Sequence, residues 1–146
     1  LVFMGDYIDR GPQSFEVGDD MVVYVDEMGN LKSFNQGVTT TLLGHRPEYY
    51  EVKDQAVIFI DQGYFKTNCD GSVQIIERYV PTKYALDWNS IAYIDDNRNV
   101  QVVQNCEKHV ITYEPVTDIE MIRNLVIYKT GPNLTRIYYF GQVFEK

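Results

Sequence analysis

Apolar and polar positions alternate in short runs along the chain, and the runs recur at a fixed spacing. Residues 15–26 read as an aromatic–acidic–aliphatic triplet, a polar turn and an apolar run that ends in aspartate. Residues 50–61 and 84–95 repeat this order without a gap, and residues 119–130 repeat it in a more diverged form. A pattern that recurs in this way predicts a tandem-repeat protein.

Three classes of residue keep the same period. The aromatic residues of the apolar runs are separated by 35, 34 and 35 positions: Tyr24, Phe59, Tyr93 and Tyr128. Four of the five prolines and the residues that open the next apolar stretch follow the same spacing: Pro12, Pro47, Pro81 and Pro115, then Leu31, Phe65, Val100 and Leu134. Because these classes are independent of one another, chance does not explain the period.

Each unit is predicted to form four short antiparallel strands. The triplet and the apolar run are the first two strands, and turns rich in Gly, Asn and Asp lead to two more. Strands of about five residues joined by short turns fit the period. We place the units at residues 15–49, 50–83, 84–118 and 119–146 of a single repeat domain, with residues 1–14 as the tail of a preceding or closing unit.

The apolar run also predicts how the sheets pack. Met21 and Val23 point to one side of the strand and Val22 and Tyr24 to the other, so both faces are apolar and must be covered. The predicted fold class is therefore all-β, a β-propeller-like array of about four 35-residue, four-stranded antiparallel units. An open stack of sheets satisfies the same pattern, so ring closure is left open.

One segment also fits a helix. Thr117 and Glu120 have the spacing of a capping box before an apolar stretch. The repeat register places the same segment in a strand, because the equivalent segments of the other units have strand-like patterns, and we favour the strand.

The charge of the chain narrows the class of partner. The sequence has 13 Lys and Arg against 21 Asp and Glu, a net charge of −8, so we expect no nucleic-acid partner. No apolar run approaches the roughly 18 residues of a membrane-spanning helix, and we expect no membrane span. Two cysteines, Cys69 and Cys106, permit one disulfide without requiring it.

Residues 5–11, GDYIDRG, resemble the Gly-Asp-x-x-Asp-Arg-Gly signature of metal-dependent serine/threonine phosphatases. The resemblance implies a site formed by Asp6, Asp9 and Arg10, in which Asp6 bridges two metal ions and Arg10 contacts phosphate. The downstream Gly-Asn-His-Glu motif is missing, and the chain has only two histidines. We therefore interpret the match as coincidental, expect neither catalysis nor a cofactor, and keep a phosphatase fragment as an alternative.

Aromatic side chains are the candidate binding residues. Those that keep the repeat period are expected in the core, because buried aromatics fill the space between sheets. Those that break it are candidates for an exposed surface that binds carbohydrate: Tyr49, Tyr64, Tyr79, Trp88 and either Tyr138 or Tyr139. Of these, we single out Trp88, Tyr64, Tyr79 and Tyr138. For Trp88, which lies in a turn whose equivalents are polar, partial burial is the favoured alternative.

Aspartate ends the second strand of three units: Asp26, Asp61 and Asp95. We expect each carboxylate to accept backbone N–H bonds in the following turn. Calcium binding is the alternative for the one oxygen-rich cluster, Asp95, Asp96 and Asn97, because this ion requires several oxygen ligands in one loop.

The aromatic-Glu-Val-x-Asp pattern, followed by an apolar run ending in Asp and an aliphatic-Lys-x-Phe strand, resembles tandem β-repeat proteins of unknown function found in Bacteroidota. The resemblance implies an extracellular or periplasmic setting and supplies no activity. The resulting hypothesis is a non-catalytic scaffold for protein–protein interaction. A carbohydrate-binding propeller is the alternative.

Overall fold

The fold is described from a computed structural model for residues 15–17, 21–112, 114–131, 134–139 and 141–145. The regular elements of these residues are sixteen strands in four sheets, each with four antiparallel strands that pair in sequence order. The predicted all-β fold of four-stranded antiparallel sheets is confirmed. Among the same residues, no helix is long and apolar enough to cross a membrane.

The chain divides into two compact units, and the first comprises Leu1–Arg78. Its first sheet contains β1 (Phe15–Val17), β2 (Met21–Val25), β3 (Leu31–Asn35) and β4 (Val38–Leu43). Its second sheet contains β5 (Tyr49–Lys53), β6 (Ala56–Asp61), β7 (Tyr64–Cys69) and β8 (Ser72–Glu77).

The second unit comprises Tyr79–Lys146. The third sheet contains β9 (Lys83–Asp87), β10 (Ser90–Ile94), β11 (Val100–Gln104) and β12 (Glu107–Val110). The fourth sheet contains β13 (Val116–Ile122), β14 (Leu125–Thr130), β15 (Leu134–Tyr139) and β16 (Gln142–Glu145). The segment with the capping-box spacing is thus a strand, because its backbone groups pair with β14 in the same register as the other repeats.

Tight turns join most neighbouring strands. In the turn between β6 and β7, Gln62 and Gly63 have φ angles of 54° and 79°. Asp70 and Gly71 repeat this geometry between β7 and β8, with 52° and 87°. Two successive residues at positive φ match the right-handed twist of the flanking strands, which explains why Gly recurs at the second position.

In each unit, the core lies between two sheets. In the first unit, Met21, Val23 and Leu31 of the first sheet pack against Tyr50 and Phe59 of the second. This contact uses every second residue of β2, because successive side chains of a strand point to opposite faces.

The second unit repeats the arrangement. Ala92 and Val102 of the third sheet pack against Val126, Tyr128 and Tyr138 of the fourth. Three of the periodic aromatics are fully buried, as predicted: Phe59, Tyr93 and Tyr128. Tyr24, the fourth, is half-buried. The predicted burial of both faces is clearest in β10, where all five residues are buried.

Candidate binding site

The turn between β9 and β10 holds the only tryptophan of the chain in an exposed position. Trp88 has a φ of 56°, and 43% of its surface is exposed. A bulky residue in this left-handed region is uncommon in proteins. More than half of its surface is covered, so the favoured expectation of partial burial is confirmed, and a binding role for the exposed part of the ring stays a prediction. Arg123, at the same position of the next repeat, has the same φ of 56° in the turn between β13 and β14.

One buried carboxylate joins the two turns. Asp87 is 8% exposed; its Oδ1 accepts the backbone N–H of Trp88 at 2.8 Å, and its Oδ2 accepts that of Arg123 at 2.6 Å. Hydrogen bonds to a charged acceptor are stronger than those between neutral groups. Asp87 therefore sets the spacing between the two turns.

A second polar contact supports the same arrangement. The buried Ser90 hydroxyl donates to Oδ1 of Asn124 at 2.9 Å. Nε2 of Gln104 in turn donates to the Ser90 oxygen at 3.2 Å. The third and fourth sheets are thus joined at their turns by side chains whose conformations are held by buried partners.

The resulting surface combines an aromatic ring with a cation. The guanidinium carbon of Arg123 lies 5.6 Å from the centre of the Trp88 ring, within the range of a cation–π contact. We call Trp88 and Arg123, with the exposed Asn89 beside them, the Trp–Arg surface. It offers apolar area and a fork of N–H donors, which suits a partner with a planar or acidic group.

The other candidate aromatics lie in different surroundings. Tyr64 is half-buried, with Lys66 Nζ 5.8 Å and the Arg78 guanidinium 6.0 Å from its ring centre. The Tyr79 hydroxyl accepts the backbone N–H of Asp96 at 3.0 Å, which ties it to a turn.

Tyr138 was expected to be exposed, and this expectation is wrong. It is 7% exposed and belongs to the core between the third and fourth sheets, opposite Val126 of β14. Its neighbour Tyr139 points to the other face of the sheet and is 45% exposed.

The predicted role of aspartate in turns is confirmed at two of three positions. Oδ1 of Asp95 accepts the backbone N–H groups of Asn97 and Asn99, both at 2.9 Å. Asp26 does the same for Met28 and Asn30. Oδ2 of Asp95 also accepts from Gln101 at 2.7 Å. These bonds support the turn interpretation of residues 95–97; the calcium alternative stays a prediction.

Asp61 serves a different purpose, so the expected turn role is wrong for it. Its buried carboxylate accepts from Lys66 Nζ at 2.9 Å and contacts His45 Nε2 at 2.7 Å. Burial raises the pKa of Asp61, but the hydrogen bonds from Lys66 and His45 lower it more, so the pKa lies below its usual value.

The pKa of the Asp26 carboxyl group is lowered well below its usual value of 3.8. A hydrogen bond from Lys32 and backbone N–H bonds in the turn lower the pKa of Asp26 to about 2. The same contact raises the pKa of Lys32. Lys32 Nζ lies 2.9 Å from Asp26 Oδ2, so the two side chains form an ion pair within the first sheet.

The motif residues Asp6, Asp9 and Arg10 lie outside the described residues, and the phosphatase alternative is not tested. Both cysteines are disulfide-bonded, so neither Cys69 nor Cys106 is a free thiol.

Trp88 is predicted from the sequence as a candidate binding residue, whereas Arg123 and Asp87 are not. The repeat contained the signal for Arg123, because it lies 35 positions after Trp88 in the equivalent turn of the adjacent sheet. Asp87 gave no comparable signal, since its contact with residue 123 exists only when the two sheets pack.

Several solved structures are similar to this chain at low sequence identity. Prp20p from Saccharomyces cerevisiae is 14% identical, with a TM-score of 0.50 over 86% of this chain and 44% of its own. Human WBSCR16 is 6% identical, with a TM-score of 0.51 over 86% of this chain and 46% of its own. BamB from Moraxella catarrhalis is 10% identical, with a TM-score of 0.41 over 90% of this chain and 48% of its own.

The chain therefore spans less than half the length of each of these three proteins. Identities this low show the fold alone. No curated protein matches the chain. A family model described as a 10-bladed beta propeller domain matches residues 8–144, which is nearly the whole sequence. The prediction of a β-propeller-like fold is confirmed, and the chain belongs to the family of the 10-bladed beta propeller domain.

Proposed function

We propose that the protein is a non-catalytic interaction module that contacts a protein partner through the Trp–Arg surface. The observation that carries this proposal is the exposed Trp88 ring, held in a left-handed turn beside Arg123 by the buried Asp87. Trp and Arg are enriched among the residues that contribute most to protein–protein binding. A fixed aromatic ring also loses little conformational entropy on binding.

The surrounding chemistry supports recognition over catalysis. The buried acids of the second unit bond to local N–H groups: Asp87 to two turns, and Asp95 to its own turn and to Gln101. A general acid or base needs a carboxyl group that can reach a bound substrate. These carboxylates are engaged in holding the turns.

The comparison with Prp20p is compatible with this function. Its structure is described together with its binding to Gsp1p and histones, so a protein of similar fold presents binding surfaces for proteins. At 14% identity, the likeness carries no information about which partner this chain binds.

The proposed setting is extracellular or periplasmic. Its support is the disulfide-bonded state of both cysteines, because disulfides persist mainly in oxidising compartments. The resemblance to repeat proteins of Bacteroidota carries the same expectation. Alkylation of the protein from its native source without reductant should label neither cysteine, whereas labelling of both would contradict the proposal.

Comparative capture tests the Trp–Arg surface. Wild-type protein, Trp88→Ala and Met28→Ala are immobilised and exposed to an extract of the native source. Met28 is 84% exposed in the turn after β2, so its truncation is a matched control. We expect proteins retained by wild type and Met28→Ala to be lost from Trp88→Ala, with unchanged thermal unfolding of all three.

Fluorescence gives a direct second readout. Trp88 is the only tryptophan, so its emission reports on this surface alone. Once the partner's own fluorescence has been subtracted, a captured partner should change the emission of Trp88 on titration. A partner that binds Trp88→Ala as tightly as wild type would contradict the proposal, and a glycan-array signal that depends on Trp88 would favour carbohydrate as the ligand.

A further inference from the structure

One buried hydroxyl orients the two amide side chains at the Trp–Arg surface. Ser90 is fully buried, and Nε2 of Gln104 donates to its hydroxyl oxygen at 3.2 Å. The same oxygen lies 2.9 Å from Oδ1 of Asn124 and 3.3 Å from Oδ1 of Asn89. Because the carbonyl oxygens of both amides are turned toward Ser90, their NH2 groups point away from it.

Arg123 adds a positive charge to these donors. It is exposed, and its guanidinium lies over the Trp88 ring. Among the residues that the structure describes, no Asp or Glu forms an ion pair with Arg123. The planar fork of N–H groups of this guanidinium is therefore available to a ligand.

The carboxylate beside these donors faces inward. Asp87 is buried, and its two oxygens accept the backbone N–H groups of Trp88 and Arg123. The indole of Trp88 is itself a donor and has no acceptor atom. The side chains that this surface offers to a ligand thus combine N–H donors with an apolar ring, and none of them is a carboxylate.

A surface of donors selects a ligand that accepts. An ionised carboxylate only accepts hydrogen bonds, and it pairs with a guanidinium through two parallel bonds. Each hydroxyl of a neutral sugar both donates and accepts, so this surface satisfies only part of its hydrogen bonds. The donors therefore favour a carboxylate over a neutral carbohydrate.

The distribution of charge along the chain is compatible with an acidic ligand. The first unit has 6 Lys and Arg against 13 Asp and Glu, whereas the second unit, which carries the Trp–Arg surface, has 7 against 8. The negative charge of the protein is thus concentrated in the first unit. Because charges more than about 10 Å apart are largely screened at 0.1 M salt, the nearly neutral second unit repels an acidic ligand little.

We propose that the Trp–Arg surface recognises an Asp or Glu side chain of its protein partner, together with an apolar side chain next to it. This inference rests on the proposed function and names the group that is bound. The carboxylate accepts N–H groups from the Arg123 guanidinium and the Asn89 amide. The apolar neighbour packs on the exposed part of the Trp88 ring.

A peptide array with matched pairs tests the carboxylate. The two short peptides of each pair differ only by Glu or Gln at the centre, and the flanking residues are Leu, Phe or Ala. Wild type should bind the Glu peptides with apolar neighbours about tenfold more tightly than their Gln partners, because a charged acceptor strengthens the hydrogen bonds. Oligosaccharides of glucuronic acid and of glucose on the same array present a carboxylate and a neutral sugar from the other source.

Two variants and a control assign the preference to this surface. Arg123→Met removes the charged donors, and Asn89→Asp replaces a donor by a negative charge. Each should weaken binding of the Glu peptides about tenfold and abolish the preference for Glu over Gln. Lys129→Met removes a positive charge from β14 and should keep the preference. All three positions are exposed, so circular dichroism and thermal unfolding should match those of wild type.

Other results would overturn the carboxylate inference. They are a wild type that binds no Glu peptide or binds Glu and Gln peptides alike, and an Arg123→Met variant that keeps the preference. Tighter binding to glucuronic acid than to any peptide would likewise replace the protein side chain by an acidic sugar. The proposed function is judged separately, because proteins retained by wild type and lost from Trp88→Ala would support it even if the array contradicts the carboxylate.

Discussion

Asp61 and Asp95 occupy the same repeat position, at the end of the second strand, but stabilise their sheets differently. Asp95 begins a long turn and accepts backbone N–H groups from Asn97 and Asn99. Asp61 precedes the two-residue turn of Gln62 and Gly63 and binds two cationic side chains instead.

The length of the turn accounts for the difference. The long turn curls back so that its N–H groups meet the carboxylate of Asp95. In the short turn, the N–H groups of Gln62 and Gly63 donate to the carboxylate of Glu48, at 2.8 Å and 3.4 Å. Glu48 thus takes the turn-capping role, and the carboxylate of Asp61 is available to Lys66 and His45. A recurring residue type therefore does not guarantee a recurring contact.

The largest expected effect is that of removing Asp61. Asp61→Ala leaves the ammonium of Lys66, whose side chain is only 14% exposed, without its carboxylate. Breaking a buried ion pair from one side costs about 3 kcal/mol or more. Urea unfolding should show this loss in the free energy of unfolding. A loss below about 1 kcal/mol would mean that the pair contributes little to stability.

Asp95→Ala should lower the free energy of unfolding by less, about 2 kcal/mol. The substitution removes the acceptor of two backbone N–H groups and of the Gln101 amide, but it leaves no buried charge. The amide variants sharpen the comparison. Asp95→Asn keeps an acceptor oxygen and should recover most of the loss, whereas Asp61→Asn lacks the charge that Lys66 requires and should not. Equal recovery at both positions would contradict the assignment of different roles.

Asp26 makes a contribution that depends on pH. Because its pKa is lowered from 3.8 to about 2 in the folded protein, this contribution is fully present above pH 3.8 and is lost as the pH falls through about 2. Thermal unfolding between these pH values should therefore show a steeper loss of stability for wild type than for Asp26→Asn. If the stability of the two proteins falls in parallel over this pH range, the pH-dependent contribution of Asp26 is wrong.

The smallest expected effect belongs to the fourth copy of this position, Thr130. It is 4% exposed, and its hydroxyl has no hydrogen-bond partner among the described residues. Thr130→Val replaces the hydroxyl by a methyl group of similar size and should be neutral or stabilise by up to about 1 kcal/mol. A clear destabilisation in urea unfolding would indicate that the hydroxyl does have a partner.

Only part of the candidate site could be predicted from the sequence. Trp88 was identified because a large aromatic residue stands in a turn where the other repeats have polar ones. Tyr138 was misassigned, since residues 138 and 139 are both tyrosine and only the pairing of β15 with β14 shows which of them faces the core.

The sequence by itself determined the number of sheets, the strands in each and the need to cover both faces of the second strand, because strand side chains alternate with a period of two and the repeat period aligns the four copies. Only the tertiary structure decided the contacts of Trp88 with Arg123, of Asp87 with both turns and of Asp61 with its two cations. Apart from the contact of Asp87 with the adjacent Trp88, these partners lie 5 to 36 positions apart in the chain, and they meet only where strands pair and sheets pack. Their partners depend on turn length and sheet packing, which a pattern of residue types does not encode.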